Sequence, residues 1–90
     1  MQFEWNAGKH ARNLELRGLG FDDGALIFEG SVIEWTDARR DYGEVRVRAV
    51  GQSEGDLLHV VYTERDDIRR IISVRLANRR ERAAWQRQYG

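Results

Sequence analysis

The sequence contains no cysteine and no proline, and its 90 residues include one lysine and two histidines. Without cysteine the chain forms no disulfide and no zinc site built from thiolates. His10 and His59 are far apart, and neither has a second ligand at a spacing such as His-x-x-x-His, so we predict no metal site. The sequence also lacks a nucleophile elbow, a phosphate-binding glycine loop and a dinucleotide fingerprint, so no cofactor is expected. These absences exclude classical hydrolases and nucleotide-binding enzymes.

Neither sign of charge is in excess, because 15 acidic residues balance 15 basic ones. That balance argues against a protein that coats nucleic acid through a strongly basic surface. No apolar stretch approaches the length of a membrane span, and Met1 begins no basic and apolar leader, so we expect a cytoplasmic protein with no membrane partner. The length of 90 residues predicts one small domain over residues 1–90. Hydrophobic residues make up 41% and charged residues 33%, a composition that argues against a disordered chain.

The first thirty residues predict two helices. Asn6 is a good N-cap for the first helix, and Gly18 marks its end. Phe21 begins a second, shorter helix in which an aspartate is the expected cap, and Gly30 ends it. A short apolar piece at residues 3–5 precedes both helices and has the pattern of a strand.

The middle of the chain has the pattern of strands. β-branched and aromatic residues fill 32–36, a polar turn covers 37–43, and charged and apolar residues alternate over 44–49. Two further strands are predicted over 57–63 and 68–74, each joined to the preceding one by a short polar connection. The alternation predicts a sheet with one face in solvent, and the short connections predict an antiparallel meander.

A closing helix is predicted over residues 77–88, where no glycine interrupts the sequence and Ala84 and Trp85 provide apolar side chains. Helices therefore come first, strands lie in the middle and a helix comes last. This order predicts an α+β fold, in which the N-terminal helices and the C-terminal helix pack on a small antiparallel sheet.

Arginine and glutamate are concentrated on and beside the predicted strands. Strands that pair in chain order bring several of these side chains close together, on a surface able to bind the phosphates of single-stranded RNA. In metal-free RNA cleavage the ribose 2′-hydroxyl is the nucleophile, so the protein supplies only a proton acceptor, a proton donor and cations. The residues concerned are Glu44, Arg46, Arg48, Glu64, Arg65, Arg69, Arg70 and Arg75.

Each of these features has a second interpretation. The charges also fit pairs across strands on a solvated face, each pair stabilising the fold by less than about 1 kcal/mol. His59 fits either an active-site base or a half-buried strand residue. Trp5, Trp35 and Trp85 are suited to stacking on bases, but the favoured interpretation is that two or all three anchor a small core. For the charged residues, spacing alone favours pairing across strands.

An ordered set of short motifs runs through the chain. The most characteristic pair is a strand that ends in Tyr-Thr-x-Arg followed by a strand that reads Arg-Ile-Ile-Ser-x-Arg. The motifs are Phe3-Glu4-Trp5-Asn6 with Lys9 and Asn13, Phe21 with Phe28, Thr36-Asp37, Asp41-Tyr42-Gly43-Glu44 with Arg46, Gly51, Val60-Val61-Tyr62-Thr63-Glu64-Arg65, Arg70-Ile71-Ile72-Ser73-Val74-Arg75 and Arg79-Arg80-Glu81-Arg82. In this order they resemble the whole length of a BrnT toxin, the ribonuclease half of a type II toxin-antitoxin pair.

The resemblance implies a RelE-like ribonuclease fold, messenger RNA as the substrate and arrest of translation and growth. It implies a BrnA-type antitoxin that covers the toxin and carries the DNA-binding domain. The complex would then reach operator DNA only through the antitoxin, with a toxin dimer inside a heterotetramer as one assembly. Under this hypothesis the catalytic candidates are Arg46, His59, Glu64, Arg65, Arg70 and Arg75, and the RNA-binding candidates are Arg48, Arg69, Arg79 and Arg80.

Two positions depart from the family pattern. Leu16-Arg17-Gly18 stands where members usually carry Lys-His-Gly, and arginine titrates too high to replace histidine as a general base. Proton transfer would then reside on Glu44, His59 or Glu64. Trp85 stands where tyrosine is common, which removes a hydroxyl and keeps the aromatic bulk. Two other hypotheses therefore stay open. In the first, the chain is a degenerate family member that only binds its antitoxin and co-represses the operon, and in the second it is a small interaction domain.

Overall fold

The fold is mixed α+β, as predicted. The computed structural model describes residues 1–39 and 41–90, so residue 40 of the predicted polar turn lies outside the described residues. The helices are α1 (Ala7–Arg17), α2 (Phe21–Leu26), which a 3₁₀ turn continues over Ile27–Glu29, and α3 (Arg79–Tyr89). The strands are β1 (Gln2–Glu4), β2 (Val32–Thr36), β3 (Val47–Ser53), β4 (Asp56–Arg65) and β5 (Ile68–Leu76). None of the helices in these two ranges has the length and apolarity needed to cross a membrane.

The five strands form one sheet in the order β1-β5-β4-β3-β2. Strands β2 to β5 follow one another and pair antiparallel. β1 instead pairs parallel with β5, and this pairing places Glu4 opposite Arg70. A parallel pair needs a long connection, which the rest of the chain between β1 and β5 supplies. The prediction of a purely antiparallel sheet is therefore wrong at this edge.

Two-residue turns join the last three strands of the antiparallel part. Asp66 and Asp67 connect β4 to β5 with φ angles of 53° and 64°, and Glu54 and Gly55 connect β3 to β4 with φ angles of 49° and 91°. Positive φ at both central residues is typical of the tight hairpin turns whose twist matches that of the strands. Aspartate tolerates this conformation better than most residues. The β4–β5 turn fixes which side chains of the two strands face each other.

Both N-terminal helices form close to the predicted places. The Asn6 side chain accepts a hydrogen bond from the Lys9 N–H at 2.9 Å, and Gly18 ends α1 with a φ of 71°. In α2 the cap differs from the prediction. Gly20 is the N-cap, and its N–H donates to the Asp23 carboxylate at 2.8 Å, so an aspartate acts from within the first turn.

The main core lies on the face of the sheet covered by α2 and the 3₁₀ turn. Its members are apolar side chains from these helical segments and from strands β3, β4 and β5. The buried cluster consists of Phe21, Ile27, Ala49, Leu58, Val60, Tyr62, Ile71 and Val74. In β4 the core residues Leu58, Val60 and Tyr62 alternate as the sequence pattern predicts. In β5 a register shift opposite Val61 and Tyr62 places Ile71 and Val74, three positions apart, on this face.

The second face of the sheet is covered by α3. Every residue of β4 from Leu58 to Thr63 is buried, so both faces of this central strand lie inside the protein. Val50 is buried as well, next to His59 in the pairing of β3 with β4. The prediction of a sheet with one solvated face is therefore wrong at its centre, because a helix with a strongly polar sequence packs there.

Gly24 marks the place where α2 lies closest to the sheet. A Cβ atom at this position would lie 2.6 Å from the Val74 Cγ2 methyl, whereas nothing lies within 4 Å of a Cβ placed at Gly30. We expect Gly24→Ala to lower the free energy of unfolding by about 1–2 kcal/mol through overpacking, despite the better helix propensity of alanine. Gly30→Ala is the control and should change stability little. Urea unfolding of both variants measures the difference, and equal midpoints would contradict the expected close packing.

Candidate functional site

A cleft of about 400 Å³ lies at the turn end of the β4–β5 hairpin, and we call it the hairpin cleft. Three of the residues predicted to be catalytic meet there, namely Glu64, Arg65 and Arg70, together with Glu44, which the sequence offered as a proton acceptor. The residues that line it are Glu4, Glu44, Val45, Thr63, Glu64, Arg65, Ile68 and Arg70. Half of the six residues predicted to be catalytic thus line one opening.

Strand pairing explains why these side chains share the hairpin cleft. Thr63 pairs with Arg70 two positions before the tight turn, so both face the same side of the sheet. On the other side of β5, the parallel strand β1 places Glu4 beside Arg70, with Glu4 Oε1 at 3.6 Å from Arg70 Nη1. Glu44 and Val45 come from the segment that leads into β3. The site therefore depends on three strands and one loop.

The charged side chains in the cleft differ in how strongly they already pair with other residues of the protein. Glu64 accepts a hydrogen bond from Arg69 Nε at 2.9 Å. Glu44 lies 3.8 Å from Arg46 Nε, which is too far for a hydrogen bond. Arg65 is exposed and forms no ion pair with any residue in the described ranges 1–39 and 41–90. The cleft thus presents at least one guanidinium that is available to an anion.

Arg46, another predicted catalytic residue, lies at the edge of the cleft beside Glu44. Its guanidinium carbon is 3.9 Å from the centre of the Tyr42 ring, a cation–π geometry that holds the side chain in place. The Nε atom of Arg46 is buried and has no hydrogen-bond partner among the described residues. Arg46 is therefore placed beside the cleft by its contacts with Tyr42 and Glu44, and its unpaired Nε is shielded from solvent.

A second cluster, which we call the Glu81 cluster, joins Arg48, His59, Arg75 and Glu81 on the sheet face under α3. Arg75 holds the Glu81 carboxylate with two hydrogen bonds of 2.8 and 2.9 Å, and Arg48 Nη2 donates to it at 3.2 Å. His59 Nε2 lies 3.6 Å from the same carboxylate and accepts from Arg48 Nε at 3.1 Å. Three predicted functional residues thus meet here, away from the hairpin cleft.

Glu81 was not among the residues predicted from the sequence. It lies in the first turn of α3, where Asn78 is the N-cap. The Asn78 side chain accepts a hydrogen bond from the Glu81 N–H at 2.9 Å, and Glu81 Oε1 accepts one from the Asn78 N–H at 2.8 Å. This reciprocal arrangement is a capping box, and the pattern Asn-x-x-Glu before the helix signals it in the sequence. The signal locates the helix start, but it does not reveal that the carboxylate is buried against two arginines.

Burial and neighbouring charges set the protonation of the Glu81 cluster. Burial raises the pKa of Glu81, but hydrogen bonds from Arg75 and from the Asn78 N–H outweigh it and lower that pKa to about 2. Burial, followed by the Arg75 charge, lowers the pKa of His59 to about 4, against the smaller opposing effect of Glu81. At neutral pH the cluster therefore contains a charged Glu81, two charged arginines and a neutral imidazole.

With both clusters located, comparison with known proteins assigns the family. A family model described as the ribonuclease toxin BrnT of a type II toxin-antitoxin system matches residues 5–81. The chain belongs to the BrnT family. No curated protein matches it at a significant level. The matched segment contains the whole Glu81 cluster and every residue of the hairpin cleft except Glu4. The predicted resemblance is confirmed, and membership of a type II system implies an antitoxin partner.

The remaining RNA-binding candidates of this BrnT family member do not join the hairpin cleft lining. Arg69 lies on the other sheet face, with its guanidinium 4.8 Å from the Phe28 ring centre and 4.6 Å from that of Tyr62. From that face Arg69 donates a hydrogen bond to the Glu64 carboxylate, and it thereby fixes the position of Glu64 at the edge of the cleft. Arg79 and Arg80 are exposed in the first turn of α3.

The three tryptophans of this BrnT family member have different surroundings. Trp5 packs against the main core, with its ring 5.8 Å from that of His10. Trp35 is 38% exposed and lies 5.4 Å from the Arg48 guanidinium. Trp85 donates from its indole N–H to the Ser31 carbonyl at 3.0 Å. Trp5 thus fits the core-anchoring interpretation, and Trp85 ties α3 to the start of β2.

His59 makes the stability of this BrnT family member dependent on pH. The unfolded chain takes up a proton at His59 below its ordinary pKa of 6.5, whereas the folded chain does so only near its lowered pKa of about 4. The free energy of unfolding should therefore fall as the pH falls through this window, by about 2 kcal/mol between pH 7 and pH 5. His59→Gln should lose most of that difference. Urea unfolding at the two pH values checks it, and an unchanged pH dependence in the variant would rule out His59 as the cause.

Proposed function

We propose that this chain is a toxin that cleaves messenger RNA at the hairpin cleft, without a metal ion, and thereby inhibits translation and growth. The observation that carries the proposal is that Arg65, Arg70 and Glu44 line one open cleft, where Glu64 also contributes to the lining while its carboxylate pairs with Arg69. Guanidinium groups bind phosphate through paired hydrogen bonds, and carboxylates accept protons. The match to a ribonuclease toxin family supports the choice of RNA as the substrate.

The proposed reaction is a transesterification within the RNA. The ribose 2′-oxygen attacks the adjacent phosphorus, and its proton passes to a carboxylate as the new bond between oxygen and phosphorus forms. The bond from phosphorus to the 5′-oxygen of the next nucleotide breaks, and that oxygen takes a proton from solvent. The products are a 2′,3′-cyclic phosphate and a free 5′-hydroxyl. The protein contributes positioning, a proton acceptor and cations around the pentavalent phosphorus.

The structure favours particular residues for these roles. Arg65 is free of ion pairs in the described part of the chain, and Arg70 is 48% exposed, so we assign both to the phosphate, with Arg46 beside them. Glu44 is assigned as the proton acceptor, because Arg69 already holds one oxygen of Glu64. His59 is 1% exposed beneath α3, which argues against its predicted role as a base. Arg48 and Arg75 are likewise assigned to anchoring α3.

The type II family implies an antitoxin, and we extend this to a BrnA-type protein that carries the DNA-binding domain. The arrangement of a mainly antiparallel sheet with helices on both faces supports a RelE-like toxin domain over residues 1–90. In this proposal the toxin acts in the cytoplasm, where messenger RNA is found. The complex reaches operator DNA only through the antitoxin, with a toxin dimer inside a heterotetramer as the proposed assembly.

The test of the proposal joins growth with chemistry. The chain is expressed alone from a tightly repressed bacterial promoter, and the purified protein is incubated with a defined RNA in the presence of a metal chelator. We expect growth arrest, cleavage that survives the chelator and fragments that end in a 2′,3′-cyclic phosphate. Cleavage that requires an added metal ion would contradict the metal-free mechanism. The absence of any cleavage would contradict the proposal that the chain is a ribonuclease.

One observation favours a second function. The chain would then be a catalytically inactive family member that only binds its antitoxin. Leu16 and Arg17, at the positions of the family Lys-His pair, line a groove separate from the hairpin cleft. We call it the α1–β5 groove, and its lining residues are Lys9, Arg12, Asn13, Leu16, Arg17, Phe21, Ile72 and Ser73. If the chemistry required the missing histidine, the protein would form a complex with antitoxin and leave RNA intact.

A further inference from the structure

Helix α1 presents one long and largely exposed face, which contacts the rest of the described chain at Asn13 and Arg17 beside the edge of β5. The helix has 11 residues, and none of them is buried. Lys9, Arg12, Asn13, Leu16 and Arg17 follow the spacing i, i+3, i+4, i+7 and i+8, which is the stripe by which a helix normally packs. An isolated helix of this length is only marginally stable in water. The stripe therefore has the arrangement of a packing face that β5 contacts at Asn13 and Arg17, while Lys9, Arg12 and Leu16 remain exposed.

The charges on this face favour an acidic partner. Three of the five stripe residues, Lys9, Arg12 and Arg17, are cations, and Glu15 is the one acidic residue of α1. Lys9 lies in the first turn, where the partial positive charge of the helix end makes a cation unfavourable, and this turn contains no acidic residue. A carboxylate from a partner would offset that charge. In a chain with no net charge, this helix is locally positive.

An apolar residue occupies the middle of the cationic stripe. Leu16 is 70% exposed and lies one helical turn from Arg12 and Asn13, over a groove with Ile72 on its other side. Exposed aromatic rings, on which RNA bases would stack, are absent from the described lining, where the one aromatic residue, Phe21, is buried. An exposed leucine among cations suits a peptide with an apolar side chain flanked by carboxylates. RNA has no equivalent of that apolar contact.

The groove also runs along an open part of the sheet edge. β1 covers β5 only from Ile68 to Arg70, so the rest of β5 has no strand neighbour on this side among the described strands. Asn13 Nδ2 and Arg17 Nη1 donate to the Val74 carbonyl at 3.1 and 3.3 Å, which holds α1 beside that edge. The helix and the strand edge form two walls of this groove, which has a volume of about 240 Å³.

We propose that the α1–β5 groove is the docking surface for an acidic, amphipathic segment of the antitoxin. This inference rests on the proposed toxin-antitoxin function. Carboxylates of the segment pair with Lys9, Arg12 and Arg17, and an apolar side chain between them contacts Leu16 and Ile72. Because this surface is separate from the hairpin cleft lining, antitoxin binding and RNA cleavage depend on different side chains and are separable by mutation.

The test uses the chain of residues 1–90 and a BrnA-type antitoxin, purified as separate proteins. Lys9→Glu combined with Arg12→Glu should weaken the complex at least tenfold in calorimetry at moderate salt and leave the RNA cleavage rate within twofold of the parent. Leu16→Ser, which changes no charge, should weaken it independently. Arg87→Glu, an exposed change of the same sign in α3, is the control and should bind as the parent does. Circular dichroism verifies that each variant is folded.

The possible outcomes are distinct. Unchanged antitoxin affinity in both groove variants, or hydrogen-exchange protection by antitoxin confined to other elements, would overturn the proposal. Loss of RNA binding in Lys9→Glu with Arg12→Glu, with antitoxin affinity retained, would assign the groove to nucleic acid and also overturn it. If the parent does not cleave RNA but the groove variants lose antitoxin, the docking surface stands and the proposed catalytic function fails.

Discussion

Arg65→Ala is expected to lower the rate of RNA cleavage by about 100-fold, the typical loss when one charge-stabilising group is removed from a preorganised site. The reason is that Arg65 is exposed in the hairpin cleft and forms no ion pair with the described residues. Its charge is therefore available to the phosphate, where negative charge grows as the 2′-oxygen attacks. Single-turnover cleavage of a defined RNA oligonucleotide measures the rate without interference from product release.

The matched variants separate charge from shape. Arg65→Lys keeps the positive charge but cannot form two parallel hydrogen bonds to a phosphate, so its rate should lie between those of Arg65→Ala and the parent. Arg87→Ala removes an exposed arginine from the last turn of α3 and should cleave at the parent rate. Since Arg65 lies at the exposed end of β4, its loss should hardly change the unfolding midpoint. A folded Arg65→Ala variant with full activity would remove Arg65 from the site.

The local part of this site was predictable from the sequence. Glu64 and Arg65 belong to a polar tetrapeptide between two apolar runs, and Arg70 follows it in the second run. Hairpin geometry alone brings such residues close together. Glu4 was not predictable in the same way. Its place beside Arg70 depends on parallel pairing between the two ends of the chain, and three residues of β1 give too weak a pattern to specify a partner strand.

The error about the second sheet face has a clear physical origin. Arg48 and Arg75 alternate with apolar residues, and alternation of this kind normally indicates a solvated face. Here a single buried carboxylate, that of Glu81, pairs with both arginines and allows α3 to cover them. His59 also alternates correctly, but the pattern cannot distinguish a buried neutral imidazole from an active-site base. Such clusters depend on contacts between distant segments, which period and composition do not encode.

Glu81→Ala is expected to lower the free energy of unfolding by about 3 kcal/mol, within the range for removing one partner of a buried ion pair. The carboxylate is 5% exposed and accepts hydrogen bonds from Arg48, Arg75 and the Asn78 N–H. Its removal leaves two neighbouring guanidiniums without their counter-charge beneath α3, and it also breaks the capping box. Urea unfolding at pH 7 measures the loss, and Glu81→Gln, which keeps an acceptor oxygen, should lose less.

A double-mutant cycle with Arg75→Ala decides what the Glu81 cluster does. Because the two residues act as one contact, the double variant should be less destabilised than the sum of the single variants. If the cluster only anchors α3, Arg75→Ala should cleave RNA at the parent rate at any temperature where it remains folded. Full additivity would contradict the contact. A folded Arg75→Ala variant with a rate lowered as far as that of Arg65→Ala would return Arg75 to the catalytic role that the sequence first indicated, and it would require RNA to reach the sheet face under α3.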